Sequence, residues 1–287
     1  IEIRDEASFC CMLCMHVSQK AIAMRKTAAL LSLLAGCFAA TPTEPVRVGF
    51  YQGNGTSHPG ANDQFFSTLS MAASSAFGRG RGFHLANLTE PAVAGLSRDA
   101  FDVVVFPGGS GNGQAAAIGE AGLEALRAFV ASGGGYIGTC GGAFLGLQHA
   151  HFYGVGPTGR GPPTQEPFDR GHGPVSVEFS ASGLAALRLD PASFGGNVTI
   201  LYWQGPIVKP ADLPANVTRW ATFRTEIHSQ HTNETRGEMI GTPAFTSIDG
   251  YGGAAGGGRV VLNSPHPELT PNLPQIYAGE LKWVLRM

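Results

Sequence analysis

GGGYIGTCGGAFLG, residues 133–146, sets an apolar β-type run directly against a second apolar segment, with glycines and one cysteine between them. A strand over 135–139 that passes into a helix through so short a joint needs small residues on both sides of the turn, and Gly138, Gly141 and Gly142 supply them. Continuous apolar strands of this kind belong to sheets covered on both faces. VRVGFY (46–51), FHLANL (83–88), FDVVVF (101–106) and RVVLN (259–263) have the same texture. Between them lie helix-period segments. QFFSTLSMAASSAF (64–77) is one, and EAGLEALRAFVAS (120–132), with Leu123, Leu126, Phe129 and Val130 on one face, is another. IYAGELKWVLRM (276–287) makes a closing amphipathic helix. The alternation predicts an α/β fold, a mostly parallel sheet flanked by helices.

Beyond residue 150 glycine and proline become dense, and VSVEF, VTILYW and RWATF follow as short β-type runs. They predict a β-rich, antiparallel elaboration of one sheet edge rather than a second domain, so that 45–287 forms a single unit. The formal net charge of −2 and a charged fraction of 14% offer no polyanion footprint, which argues against a nucleic-acid partner.

Ahead of this unit, Met24-Arg25-Lys26, an apolar run and small residues to about position 40 have the layout of a secretory signal, too short for a stable membrane span. Residues 1–23 fit neither a domain nor a signal. The alternative is a lipoprotein box, LAGC, with Cys37 as the anchored residue. Asn54, Asn87, Asn197, Asn216 and Asn233 each begin an N-glycosylation sequon, which favours a secreted glycoprotein. Loss of residues 24–40 would leave Cys140 as the one thiol of 45–287.

Three strands end in glycine-rich turns, at 52–56, 107–110 and 140–142, and open α/β sheets bind ligands beyond such strand ends. GTCGG carries the GxCxG pattern of a nucleophile elbow with cysteine as the reactive residue, and AFLGLQ continues it as a helix. The N–H groups of Gly141 and of Gly108 or Gly109 are candidate oxyanion donors. A thiolate requires a base, and the base an orienting carboxylate. In SPHPEL, i and i+2 spacing along an extended segment puts His266 and Glu268 on one side. Tyr202 and Gln204 of YWQGP are candidate pocket residues, against a plain core reading. Without a second cysteine a zinc site is not expected, and no metal or organic cofactor is needed. A core cysteine with no chemistry remains the alternative.

VGFYQGNGTS, VVVFPGG, GGGYIGTCGGAFLG, GRGP, YWQGP and SPHPEL, in this order, resemble the biotin-protein ligase N-terminal domain of the class I glutamine amidotransferase-like superfamily. The resemblance implies a flavodoxin-like sheet and Cys140, His266 and Glu268 as nucleophile, base and orienter. The expected function is that of a secreted cysteine amidohydrolase acting on a small amide or related acyl compound. No ligase domain is expected beside the module, and biotin transfer is not expected of it. The rival readings are a noncatalytic extracellular binding module and a DJ-1-like redox thiol protein. The second would need a carboxylate beside the sulfur, and Glu120 and Glu124 fall on a surface helix.

Overall fold

The computed structural model describes residues 44–57, 63–77, 82–155, 171–227, 239–253, 256–271 and 273–287. The signal-like segment, Cys37, the sequon at Asn233 and the GRGP motif lie outside them. From Pro45 onward the chain forms one compact unit.

Its centre is a nine-stranded sheet. In chain order the elements are β1 (Val46–Tyr51), α1 (Asp63–Phe77), β2 (Phe83–Leu88), α2 (Glu90–Ala94), β3 (Val103–Phe106), α3 (Gly111–Ala131) and β4 (Gly135–Thr139). They continue with α4 (Gly141–Phe144), β5 (His172–Phe179), α5 (Ala181–Leu187), α6 (Pro191–Phe194), β6 (Asn197–Trp203), β7 (Val217–Phe223), β8 (Pro243–Asp249), β9 (Arg259–Asn263) and α7 (Pro274–Val284). The spatial order is β2-β1-β3-β4-β9-β8-β7-β5-β6. The first five strands are mutually parallel and the remaining pairings antiparallel. This is a flavodoxin-like α/β sheet with the expected β-rich extension.

Alternation along each strand divides the core. Val103 and Val105 join α1, α5 and α7 on one face, whereas Val104 and Phe106 join α2, α3 and α4 on the other. On the second face Tyr51, Phe106 and Tyr136 stack in a row with ring centroids 4.8 and 5.5 Å apart, directly beneath the strand ends that carry the glycine turns.

Three elements depart from the sequence expectation. The helix expected over 120–132 is preceded by an unexpected one from Gly111, which Ser110 caps by accepting the Gly113 N–H at 3.0 Å; the two are separated at Gly119, whose φ of 65° and ψ of −179° are not helical. The helix after the cysteine starts at Gly141 and continues as a π-turn over Leu145–His149. β8, buried at all but its last position, carries no alternation and gave no strand signal.

The antiparallel half curls. Although β6 is the last strand of the order, Leu201 forms an antiparallel bridge with His266, three residues past the end of β9. The His266 N–H donates to the Leu201 carbonyl at 2.7 Å, and the Leu201 N–H donates to Thr270 Oγ1 at 3.0 Å.

Candidate active site

β1, β3, β4 and β9 lie side by side, so the turns that follow them share one rim. β1 sits between β2 and β3, and at such a change of direction the covering helices part to leave a crevice. Here the three glycine turns interlock. Ser110 N–H donates to the Gly55 carbonyl at 2.8 Å and Ser57 N–H to that of Gly108 at 3.2 Å. This clasp does not use the N–H of Gly109. Gly141, the first residue of α4, has no carbonyl four residues back to receive its own N–H within the helix. A Cβ on Gly141 would lie 2.6 Å from the Gly109 carbonyl oxygen and 2.8 Å from its nitrogen, so the two candidate oxyanion donors come from backbones in contact.

Cys140 occupies the joint with φ 51° and ψ −104°, a conformation that costs a non-glycine residue roughly 1–3 kcal/mol. Four contacts hold it there. Its N–H donates to the Asn263 carbonyl and its carbonyl accepts from the Phe144 N–H, both at 2.9 Å. The Gly142 N–H donates to the Pro107 carbonyl at 2.9 Å, and the Tyr136 hydroxyl to that of Gly142 at 2.7 Å. The side chain is less open than the elbow pattern led us to expect. Cys140 is 6% exposed, and its thiol donates to the Trp203 carbonyl at 3.2 Å.

His266 and Glu268 meet, though not through an extended segment. Pro267–Leu269 is a 3-10 turn, and within it His266 Nδ1 and Glu268 Oε1 come to 2.5 Å. Both residues are buried, and among the described residues no group meets hydrogen-bond geometry with His266 Nε2. A Cβ on Gly108 would lie 2.8 Å from His266 Cε1 and 3.6 Å from Cys140 Cβ, so imidazole and thiol converge on one glycine. Burial works against a charged imidazole, but the Glu268 carboxylate and the Cys140 sulfur together hold the His266 pKa well above its ordinary value.

Tyr202 is corrected. Expected in the pocket, it is wholly buried in the core, its hydroxyl donating to the Gly205 carbonyl at 2.8 Å. Its neighbour Trp203 takes the surface position, half exposed and 4.2 Å from the His172 ring. The alternating burial of β6 contains that signal. Gln204 is partly buried in the left-handed region at φ 55°, a second strained residue beside the sulfur. Among the described residues no group of three or more potential metal ligands occurs, and no helix is long and apolar enough to cross a membrane.

Behind Glu268 runs a polar network that no sequence pattern announced. Tyr277 OH donates to Glu268 Oε2 at 3.3 Å and shares a 2.5 Å hydrogen bond with Thr139 Oγ1. Asn263 Nδ2 donates to Thr139 Oγ1 at 3.4 Å and to Glu280 Oε2 at 3.1 Å. Glu280 is fully buried, and burial pushes its pKa well above the carboxylate range. A raised native pKa means that the folded state holds a proton the unfolded chain releases. The resulting stability is complete below about pH 4.5, the ordinary glutamate value, and is lost as pH rises through the native pKa. The slope is about 1.4 kcal/mol per pH unit. Urea unfolding between pH 5 and 8 is therefore expected to show stability falling with pH, less steeply in Glu280→Gln. Parallel slopes would contradict a neutral Glu280.

Residues 47–158 match the family model for the N-terminal region of biotin-protein ligase. The match runs from β1 past Cys140 and stops short of His266 and Glu268. Among curated proteins nothing matches the chain. Similar solved structures include a ThuA-like protein from Bacteroides uniformis (15% identity, 86% of this chain and 94% of that one, TM-score 0.46). SMU.1228c (16%, 79% and 80%, 0.44) and a GH42 β-galactosidase from G. stearothermophilus (14%, 85% and 30%, 0.48) are others. The chain spans about 30% of the galactosidase's length.

Proposed function

We propose, from the match of residues 47–158 to the biotin-protein ligase N-terminal family, that the chain is a glutamine amidotransferase-like cysteine amidohydrolase acting on a small amide or related acyl compound. The convergence of Cys140 and His266 on Gly108 is the observation that carries this reading. The Cys140 thiol passes its proton to His266 as Sγ attacks the carboxamide carbon, and the carbonyl oxygen takes the negative charge opposite the N–H groups of Gly141 and Gly108 or Gly109. His266 gives its proton to the departing amine as the C–N bond breaks, leaving a thioester on Cys140. Water, deprotonated by the same imidazole, then releases the acid and restores the thiol. Glu268 orients the ring throughout.

The test measures ammonia released from a panel of primary carboxamides, glutamine included, together with the intact mass of the protein during turnover. Release with a transient acyl adduct mapped to Cys140 is expected. No ammonia from any amide and no adduct on Cys140 would overturn the reading.

A noncatalytic binding module is the second reading, favoured by the buried thiol and its hydrogen bond to the Trp203 carbonyl. It predicts a ligand that binds without being consumed. In either case we place the protein outside the cell. In support, Asn54, Asn87, Asn197 and Asn216 are all exposed.

A further inference from the structure

The network behind Glu268 has a direction that follows from counting protons. A carboxylate only accepts, so the Tyr277 hydroxyl, 3.3 Å from Glu268 Oε2, commits its single proton there. Its 2.5 Å contact with Thr139 must then be donated by the threonine hydroxyl. Thr139 Oγ1, its proton spent, can only accept, and what faces it is the amide nitrogen of Asn263. Rotating that amide by half a turn would present its oxygen to Thr139 and reverse the chain, drawing the tyrosine proton away from a charged acceptor toward a neutral one. Hydrogen bonds to charged groups are about twice as strong as neutral ones, which selects the sense that ends on Glu268. Glu280 Oε2 accepts from the same amide nitrogen, which leaves the proton of this neutral carboxyl on Oε1, and so holds the far end in register. Successive bonds with one sense polarise each other.

We propose that Tyr277 and Thr139 are positioning residues of the Cys140–His266–Glu268 site, the last two links of a one-way hydrogen-bond relay from Asn263 that holds the Glu268 carboxylate against the imidazole. This rests on the triad reading above. The location supports it. Thr139 immediately precedes Cys140, and Asn263 is the residue whose carbonyl receives the Cys140 N–H. The relay therefore ties the carboxylate end of the triad to the two strand ends that fix the sulfur. Thr139, Asn263, Tyr277 and Glu280 are all buried, so water cannot replace a missing link.

The titratable groups around His266 are Glu268, Cys140 and, farther along the relay, Tyr277 and then Glu280, and the readout is the imidazole itself. In 15N-labelled full-length protein, the His266 ring resonances are followed against pH in wild type, Tyr277→Phe, Thr139→Val and Thr139→Ser. Without the tyrosine proton, Glu268 leans harder on the imidazole, and the His266 midpoint is expected to rise by about one pH unit, the tenfold worth of one hydrogen bond to a charge. Thr139→Val should move it less in the same direction, and Thr139→Ser should restore the wild-type midpoint. A merely structural role would not separate valine from serine. Wild-type titration in both the Phe and Val variants would overturn the relay. If Tyr277→Phe does not fold, the Val and Ser pair decides alone. The ring titration does not depend on turnover. Shifted midpoints with no ammonia release would end the amidohydrolase reading and leave the relay standing, while ammonia release with unshifted midpoints would do the reverse.

Discussion

Cys140→Ala is expected to lower ammonia release from a responsive amide by 10⁴-fold or more and to leave the protein folded. Removing a nucleophile that acts as one unit with its base costs on the order of 10⁴ to 10⁶ in rate. The stability cost is much smaller. Alanine keeps the φ of 51° that cysteine already bears, and the main loss is one weak hydrogen bond to the Trp203 carbonyl, about 1 kcal/mol. A thiol-directed electrophile, followed by peptide mapping, should mark position 140 in wild type and leave it unmarked in the variant. An alanine variant that releases ammonia at the wild-type rate would remove the sulfur from the chemistry. Ligand binding with no ammonia release from wild type or variant would favour the noncatalytic module.

The second large effect concerns the seat of the elbow. Gly142→Ala would put a Cβ 2.1 Å from the Phe106 carbonyl oxygen and 2.7 Å from its carbon, in the last residue of β3. These are main-chain atoms of a central strand, fixed by the pairing of Phe106 with Gly138, and they cannot swing aside as a long side chain can. A loss of roughly 3 kcal/mol or more is expected by urea unfolding, at the upper end for overpacking. Gly154→Ala is the control. Its φ of 69° carries the ordinary left-handed penalty of about 1–2 kcal/mol, but nothing among the described residues lies within 4 Å of the added carbon. If the two variants lose equal stability, α4 is not seated on β3 as closely as the glycine contacts require.

The parallel half was legible because β1, β3, β4 and β9 are buried on both faces and therefore read as nearly unbroken apolar runs, while only the edge strand β2 is partly exposed. Cys140, Gly108, Gly109 and Gly141 were legible with it, since each lies directly after such a run, and a turn this tight admits little but glycine. His266 and Glu268 were found through a spacing argument that assumed extended backbone. The pair forms at 2.5 Å in a 3-10 turn instead, where the bend through Pro267 turns the two side chains toward each other. What lay beyond the sequence has long-range causes. Trp203 reaches the sulfur because the antiparallel strands curl and return β6 to His266, a tertiary path no local pattern encodes. Tyr202 and Trp203 differ by parity, one residue along a strand that shows opposite faces to core and solvent. Tyr277 and Glu280 read as part of an amphipathic closing helix. Only the fold shows that the buried face of that helix carries a carboxyl and a phenol into the back of the site.

The bridge between Leu201 and His266 bears on how portable the site is. Residues 47–158, transplanted onto another scaffold, would carry the sulfur and its amide cradle but leave the base and its carboxylate behind. Those groups are anchored to a strand that belongs to the later half of the chain. A protein that kept the first half and replaced the second would inherit a reactive-looking cysteine with nothing to deprotonate it.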